Sequence, residues 1–331
     1  MQYTKLGNAG IEVSRVGLGC MSFGGAKSGR HNWTLDDDAA RPVLRAAVEG
    51  GINFFDTANT YSAGDSERML GEMLPEFTRR DSTVIATKVF GRTHEGPNTA
   101  GLSRKAIMQE AENSLRRLKT DYIDLYQIHR FDRSVPIEET LEALNDLVRA
   151  GKVLYLGAST MRAWEFAQAV YLQKQHGWAQ FVSMQNYYNL LFREEEREMI
   201  PFAAAHGVGI TPWSPLARGR LTRPRGKTSA RSQNDVFGSM LIADVDYVTQ
   251  SDDAVIDAVE AVAAERESSM AEVALQWLLG RSGVTSPIVG ARTVQSVEET
   301  IRNVEAEPLT PDQIARLEKP YVPHPIVDVL S

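Results

Sequence analysis

Cysteine is almost absent from this chain of 331 residues, which contains only Cys20. One thiol cannot form an internal disulfide, and it cannot build a cysteine-based zinc site. The histidines never fall at HxxxH or HExxH spacing, so we expect no metal held by a helix-borne pair. There are six of them, at His31, His94, His129, His176, His206 and His324. The sequence therefore predicts a protein without a metal centre.

Long hydrophobic runs and positive net charge are also missing. No apolar run approaches the ~18 residues that a membrane span requires, so we expect no membrane partner. The segment MQYTKLGNAG lacks a charged region followed by an apolar stretch, so neither a signal peptide nor a lipid anchor is expected. The formal net charge is −7. Because a phosphate backbone normally needs a basic face, nucleic acid is not expected as the main partner. These absences favour a cytoplasmic location.

Two common phosphate-binding loops are missing as well. Gly17 and Gly19 follow an apolar run, but Ser22 stands where the third glycine of a dinucleotide-binding GxGxxG would be. The stretch GGAKSGR resembles a P-loop until Arg30, which stands where lysine is required. An open doubly wound sheet is therefore only the second choice of fold.

Eight short apolar, β-branched runs recur along the chain and predict strands. Most are nearly apolar throughout, as expected of parallel strands covered on both faces. With helical segments between them they predict an α/β protein, a (β/α)8 TIM barrel in one domain over 1–331. The runs lie at 16–19, 52–58, 84–89, 122–129, 153–159, 181–187, 208–213 and 286–291. Three further segments are predicted, an N-terminal β-hairpin cap at 1–14, an insertion after strand 7 at 216–285 and a C-terminal tail at 310–331.

Helix boundaries are marked by capping residues. Thr34 with Asp37 resembles a capping box, and the helix that it opens is expected to end at Gly50. Ser103 is expected to cap the next long helical segment. A second capping box is predicted at Ser296 with Glu299, so Ser296 serves either its helix or a ligand.

Four titratable residues are predicted to meet at one end of the barrel. Asp56, Lys88 and His129 end the second, third and fourth predicted strands, and Tyr61 follows Asp56 closely. The carboxyl ends of barrel strands converge on one open face. A carboxylate keeps a buried lysine charged, and the ammonium is expected to lower the pKa of the phenol from ~10. Such a group could protonate a carbonyl oxygen as hydride arrives, with His129 orienting that oxygen.

Seven motifs in order make the chain resemble the aldo-keto reductase family. They are FDTANTYSAGDSE at 55–67, IATK ending at Lys88, YQIHR around His129, GAST at 157–160, SMQN at 183–186, WSPLARG at 213–219 and PIVGARTVQSVEE at 287–299. Within the family the chain is most similar to the bacterial YajO-like subgroup, through HNWTLDDDAARP, DLYQIHRFD, REEEREM and WSPLARGRLTRP. The resemblance implies a catalytic tetrad of Asp56, Tyr61, Lys88 and His129, with Tyr61 as the general acid.

The resemblance also implies a nicotinamide cofactor at the barrel mouth. Ser159 and Gln185 match positions that hold the carboxamide, and Trp213 matches the aromatic that stacks on the ring, whereas Thr160 stands where the family often has asparagine. Arg292 matches a contact to the 2′-phosphate, which favours NADPH/NADP+. The predicted cofactor-binding residues are Cys20, Met21, Asp56, Ser159, Gln185, Trp213, Ser214, Pro215, Leu216, Arg218, Gly219, Leu221, Arg223, Arg231, Gly290, Arg292, Ser296, Glu299 and Thr300.

A basic stretch supports a phosphate-bearing cofactor independently of the family. Residues 218–231 contain six cations and no acid. Arginine forks bind phosphate well, although a solvated surface is the alternative. His31, Trp33 and Phe90 are predicted to line the pocket of a small carbonyl substrate, with core packing as the rival interpretation. Two other functions stay open, namely a Schiff-base aldolase using Lys88 and a cofactor-sensing subunit without catalysis. The substrate itself and the oligomeric state are not predicted.

Overall fold

The computed structural model describes residues 1–25, 33–227 and 250–324, and within these ranges the chain forms ten β-strands and ten α-helices. Two predicted site residues, His31 and Arg231, lie outside the described residues. The strands are β1 Tyr3–Lys5, β2 Glu12–Ser14, β3 Gly17–Gly19, β4 Phe54–Asp56, β5 Val84–Val89, β6 Ile123–Ile128, β7 Val153–Ser159, β8 Phe181–Gln185, β9 Gly209–Ile210 and β10 Ile288–Gly290. The helices are α1 Asp37–Glu49, α2 Asp65–Met73, α3 Arg104–Leu118, α4 Ile137–Arg149, α5 Ala163–His176, α6 Met199–Ala205, α7 Gln250–Glu265, α8 Met270–Leu279, α9 Val294–Glu305 and α10 Pro311–Glu318.

Strands β3 to β10 form one parallel sheet that closes into a barrel. The strand order is β10-β3-β4-β5-β6-β7-β8-β9. The two edge strands are joined by backbone hydrogen bonds, since Thr285 N donates to Ile210 O at 2.8 Å and Ile288 N donates to Pro212 O at 2.8 Å. Each of the eight predicted runs contains one of these strands. The predicted (β/α)8 barrel is confirmed, and the open doubly wound sheet is wrong.

The lumen of the barrel has its own apolar core, which the N-terminal hairpin closes from below. Strands β1 and β2 pair antiparallel. Leu6 and Val13 of the hairpin are fully buried against inward-facing strand residues. Gly7 in the hairpin turn has φ +59°, and a Cβ there would lie 2.4 Å from Gly207 O, so only glycine fits. The inward-facing strand residues of this core are Phe54, Val84, Ala86, Leu125 and Ile288. The predicted hairpin cap is confirmed.

The helices cover the outside of the barrel, and their first residues differ in part from the sequence prediction. Asp36 caps α1, since its Oδ1 accepts a hydrogen bond from Ala39 N at 3.0 Å, so the capping box predicted at Thr34 is wrong by two residues. Ser103 caps α3 as predicted. The capping box of α9 begins at Thr293, and Ser296 is its third helical residue.

The insertion after β9 contains a short 3₁₀ segment at 217–222 followed by α7 and α8. Arg220 forms an ion pair with the buried Asp252 at 2.7 Å, and Arg225 pairs with Asp257 at 2.7 Å. Two cations of the loop that begins the insertion therefore bind it to the first turns of α7. In the part of the chain that the structure describes, no helix has the length and hydropathy to cross a membrane. The predicted C-terminal tail holds α10.

Candidate active site

Lys88 is the centre of a hydrogen-bonded cluster at the carboxyl end of the barrel strands. Its side chain is fully buried, and its Nζ donates to Asp56 Oδ2 at 2.6 Å, to Thr57 O at 2.9 Å and to Tyr61 Oη at 3.2 Å. An ammonium has three N–H groups, so every one of them has an acceptor. Because the phenol oxygen of Tyr61 accepts from Lys88, its own O–H remains able to donate. The structure brings these three predicted residues together.

A tight turn carries Tyr61 back over the strand ends. The 3₁₀ segment Tyr61–Gly64 contains Ser62 and Ala63 with φ of 49° and 54°. Left-handed backbone at non-glycine residues is unfavourable by roughly 1–2 kcal/mol each, so the surrounding structure must hold it. Gly64 follows at φ 94° and precedes α2. This strained turn explains how a loop residue reaches a lysine on the neighbouring strand.

Two glutamines that accompany Asp56 complete the cluster. Gln127 Nε2 donates to Asp56 Oδ1 at 3.0 Å, and Gln185 Nε2 donates to the same oxygen at 2.8 Å. With Lys88 on Oδ2, both carboxylate oxygens are satisfied. Gln127 was not among the residues predicted from the sequence, although it lies two residues before His129 on the fourth barrel strand. Gln185 was predicted to hold a carboxamide; its amide nitrogen is directed at Asp56 instead, which leaves its carbonyl oxygen for a ligand.

The charges of Lys88 and Tyr61 follow from burial and from each other. Burial alone would lower the pKa of Lys88, but the Asp56 carboxylate and Tyr61 outweigh burial, so the pKa is raised and the ammonium persists. Burial raises the pKa of Tyr61, and Lys88 pulls it down only in part. The expectation that the ammonium lowers the phenol's pKa below its usual value is therefore wrong in net direction, because desolvation is the larger effect.

His129 lies edge-on against the ring of Tyr61, with centroids 5.9 Å apart and planes at 80°. Burial, with the positive charges of Arg130 and Lys88, holds the pKa of His129 well below its usual range. A neutral imidazole has one N–H donor and one acceptor nitrogen. At neutral pH His129 can therefore donate one hydrogen bond at this site without carrying charge. Arg130 was not singled out from the sequence.

The predicted nicotinamide contacts are grouped beside the cluster. Ser159 Oγ donates to Gln185 O at 2.9 Å, and Trp213 Nε1 donates to Thr160 Oγ1 at 3.1 Å. Tyr187 packs against the Trp213 ring with centroids 4.6 Å apart and planes at 31°. Tyr187 thus packs against the Trp213 indole, a contact that was not predicted from the sequence.

The predicted contacts to the outer part of a dinucleotide divide into two groups. Arg292 is half-buried, and its Nε is buried with no hydrogen-bond partner among the described residues. Ser296, by contrast, is used within its own helix, since its Oγ donates to Thr293 O at 2.7 Å. Thr300 Oγ1 donates to Ser296 O at 2.8 Å, and Glu299 accepts from Gln295 at 2.8 Å. Only Arg292 in this group retains an unused buried donor.

The remaining predicted residues surround the mouth at different depths. Cys20 is fully buried, and burial raises the pKa of its thiol, so it is not a reactive thiolate. Leu221 is fully buried in the outer core, so its side chain is not available to a ligand. The half-buried residues are Met21, Phe90, Ser214, Leu216, Arg218, Gly219 and Arg223; Trp33 and Pro215 are buried, and Gly290 is exposed. A basic cleft runs along this loop, lined by Arg218, Arg220, Arg223, Arg225 and Lys227.

Comparisons with known proteins agree with this geometry. The model of the "Aldo/keto reductase family" matches residues 15–321. The chain is 42% identical over 344 residues to versiconal hemiacetal acetate reductase of Aspergillus parasiticus, covering 98% of each protein. It is 40% identical over 343 residues, again 98% of each, to a Saccharomyces cerevisiae protein named provisionally as the aryl-alcohol dehydrogenase AAD16. It is also 42% identical over 348 residues to aldo-keto reductase AMT2 of Alternaria alternata, covering 98% of this chain and 92% of that protein. The chain therefore belongs to the aldo-keto reductase family.

Proposed function

We propose that this oxidoreductase is an NADPH-dependent reductase of aldehydes or ketones in which Tyr61 is the general acid. The contact of Lys88 with both Asp56 and Tyr61 is the observation that supports this role most strongly. The cofactor, when bound, supplies the hydride. The names of the relatives, which include a reductase and an aryl-alcohol dehydrogenase, support a carbonyl and alcohol pair as substrate and product.

The side chains have complementary tasks in this proposal. His129, neutral at neutral pH, donates a hydrogen bond to the carbonyl oxygen and orients it toward Tyr61. Tyr61 then gives its proton to that oxygen. An alkoxide is a much stronger base than a phenolate, so a raised pKa does not prevent the transfer and keeps the phenol protonated beforehand. The Lys88 ammonium stabilises the phenolate that forms, and Asp56 holds Lys88 in place.

The residues around the mouth fit a nicotinamide dinucleotide with a 2′-phosphate. Ser159 and the free carbonyl oxygen of Gln185 would hold the carboxamide, and Trp213 would stack on the nicotinamide. Arg292 would bind the 2′-phosphate, because its buried Nε lacks a partner in the described parts of the chain. The basic cleft, with Arg218 and Arg223, would take the pyrophosphate.

An aldolase mechanism is disfavoured by the same geometry. A lysine that forms a Schiff base must become neutral, whereas Asp56 and Tyr61 raise the pKa of Lys88 and all three of its N–H groups are engaged. No structural observation favours a sensing subunit over an enzyme. A cytoplasmic location, a single domain over 1–331 and a place in the YajO-like subgroup remain proposals; the relatives named above are fungal.

The test is substitution of Tyr61 by phenylalanine, which removes one oxygen and leaves the ring in place. The rate of NADPH oxidation with benzaldehyde should fall about 10²–10⁴-fold, the usual contribution of a positioned acid. NADPH should still quench tryptophan fluorescence, because Trp213 and Arg292 are untouched. Tyr3→Phe is a matched control, since Tyr3 is exposed and its hydroxyl donates to Gly51 O, its one side-chain hydrogen bond to the described residues. Wild-type turnover by the Tyr61→Phe protein would contradict the proposed acid.

A further inference from the structure

Arg130 is a half-buried cation next to the proposed catalytic residues, and among the described residues no carboxylate pairs with it. It directly follows His129 at the carboxyl end of β6. Its Nη1 donates to His129 O at 2.6 Å, which is its one hydrogen bond to the described residues. A guanidinium has five N–H groups, so four remain for other partners.

Three other half-buried arginines of the described residues each have a counter-charge or several carbonyl acceptors. Arg117 pairs with Glu67 at 2.6 Å, and Arg80 pairs with Asp124 at 2.6 Å. Arg15 has no carboxylate, but it donates to the carbonyls of Val284, Thr285 and Leu279 at 3.0, 2.9 and 2.8 Å. In the described parts of the chain Arg130 has neither a carboxylate partner nor a set of several carbonyl acceptors. A half-buried cation that lacks a counter-charge among the described residues points to a ligand that supplies the missing charge.

The position of Arg130 selects the ligand. Its positive charge acts on both Tyr61 and His129, the two residues proposed to meet the carbonyl oxygen. Burial lowers the pKa of Arg130 itself, as expected for a cation that has lost part of its hydration. The guanidinium, which also donates to His129 O at 2.6 Å, therefore lies beside the two residues proposed to meet the carbonyl oxygen.

We propose that Arg130 is a specificity residue that binds an oxyanion, a carboxylate or a phosphate ester, carried by the carbonyl substrate. The inference rests on the proposed reductase function and adds the substrate class to it. The flat fork of a guanidinium matches the two oxygens of a carboxylate or phosphate, which a lysine cannot reproduce. Reduction consumes no charge at that group, so the anion serves to bind and orient the substrate.

The experiment compares aldehydes that carry an anionic group with neutral relatives of the same aldehyde. For the carboxylate arm, kcat/KM is measured with 4-carboxybenzaldehyde and with its methyl ester; for the phosphate arm, with glyceraldehyde 3-phosphate and glyceraldehyde. The wild-type protein should prefer the anionic member of at least one pair by about 10- to 100-fold, the usual effect of a hydrogen bond to a charged group. The arm that shows the preference identifies the anion.

Substitutions then assign the preference to the guanidinium. In Arg130→Gln the ratio of anionic to neutral kcat/KM should fall toward one, and in Arg130→Lys it should be intermediate. Arg92→Gln is the matched control, because Arg92 is an exposed cation in the loop after β5, where it pairs with the exposed Glu95 and donates to Gly96 O. Its ratio should equal that of the wild type. A readout without turnover is the quenching of tryptophan fluorescence by 4-carboxybenzyl alcohol in the presence of NADP+, which Arg130→Gln should weaken by a similar factor.

The outcomes separate this inference from the proposed function. If the wild type reduces neutral and anionic aldehydes equally, or if Arg130→Gln lowers both members of a pair by the same factor, the oxyanion site is wrong while the reductase stands. If the wild type oxidises NADPH with none of the four aldehydes, the reductase proposal itself fails. Should Arg130→Gln not fold, the wild-type ratios and Arg130→Lys still decide the question.

Discussion

The two ends of the barrel lumen use the same strands for opposite purposes. At the closed end the inward-facing residues are apolar, for example Phe54 and Leu125, and the hairpin seals them. Two residues further along the same strands stand Asp56 and Gln127, which are buried and polar. Side chains at i and i+2 of a strand share one face, so the inward face changes from apolar core to charged cluster within two residues of the same strand. The closed end provides stability, and the open end provides the proposed chemistry.

The open end tolerates the buried Asp56 carboxylate because neighbouring side chains donate hydrogen bonds to it. Asp56 accepts from Lys88, Gln127 and Gln185, so both of its oxygens have donors. A buried ion pair gains little net stability over apolar residues, yet loss of one member is costly. This difference between the two ends can be tested by substitutions at each.

The largest effect is expected at Lys88. Lys88→Met should lower turnover about 10³-fold and destabilise the fold by about 3–5 kcal/mol, because Asp56 is left as a buried unpaired acid. The double substitution Asp56→Asn with Lys88→Met removes both charges and should recover most of the stability but none of the turnover. Steady-state kinetics and denaturant unfolding measure the two quantities. Recovery of turnover in the double variant would show that the ion pair has no catalytic role.

The closed end should give the reverse result. Leu6 is fully buried under the lumen core, so Leu6→Ala should lower the free energy of unfolding by about 2–5 kcal/mol. The kcat of the folded protein should not change, because no atom of the cluster is touched. Leu154→Ala is the control; Leu154 lies on β7 with its side chain 44% exposed, and little loss of stability is expected there. A large fall in kcat for Leu6→Ala would mean that the two ends are coupled.

A smaller effect is expected from Gln127→Leu, which removes one of the donors to Asp56 Oδ1. Turnover should fall about 10-fold, in line with a hydrogen bond to a charged group. The dissociation constant of NADPH, measured by quenching of tryptophan fluorescence, should not change, since Gln127 is fully buried and is not among the residues proposed to bind the cofactor. Gln173→Leu is the matched control, because Gln173 is equally buried but bonds Phe181 N outside the lumen. Equal kinetics in the two variants would remove Gln127 from the proposed site.

The smallest effect concerns pH and the loop after β8 at the open end. Burial raises the pKa of Glu195 from 4.5 to about 7, Glu194 adds to the rise, and a hydrogen bond from Asn186 opposes it. A carboxyl group whose pKa is higher in the folded than in the unfolded state stabilises the folded protein fully at pH values below the unfolded-state pKa. That stabilisation is lost as the pH rises through the folded-state pKa. The free energy of unfolding, and with it the Tm, should therefore fall between pH 4.5 and 7.5, and Glu195→Gln should flatten this dependence. An unchanged slope in Glu195→Gln would assign it to another group.

Much of this architecture could be predicted because it depends on local patterns. Eight apolar runs separated by helical segments are enough to predict a barrel, and strand ends then bring Asp56, Lys88 and Tyr61 together without knowledge of any contact. Gln127 could have been found by the same logic, since it shares an inward face with Leu125.

Other features depend on three-dimensional packing that a linear pattern does not contain. The net direction of the pKa of Tyr61 is decided by how deeply the phenol is buried. Arg220 and Arg225 were grouped with phosphate-binding cations, but their partners Asp252 and Asp257 lie about thirty residues away in sequence on α7. Thr34 and Asp36 are both good capping residues, and the path of the chain into α1 selected Asp36.

The hairpin that seals the lumen also constrains the order of folding. Asn8 N donates to Gly207 O at 2.8 Å, and Gly17 N donates to Pro287 O at 2.9 Å, so residues before 20 depend on partners some 200 to 270 positions later. Contacts of such sequence separation form late and slowly, because the intervening chain must be ordered first. During synthesis the closed end of the barrel can form only after nearly all of the chain has emerged from the ribosome. Until then the apolar side chains of Leu6 and Val13 remain exposed.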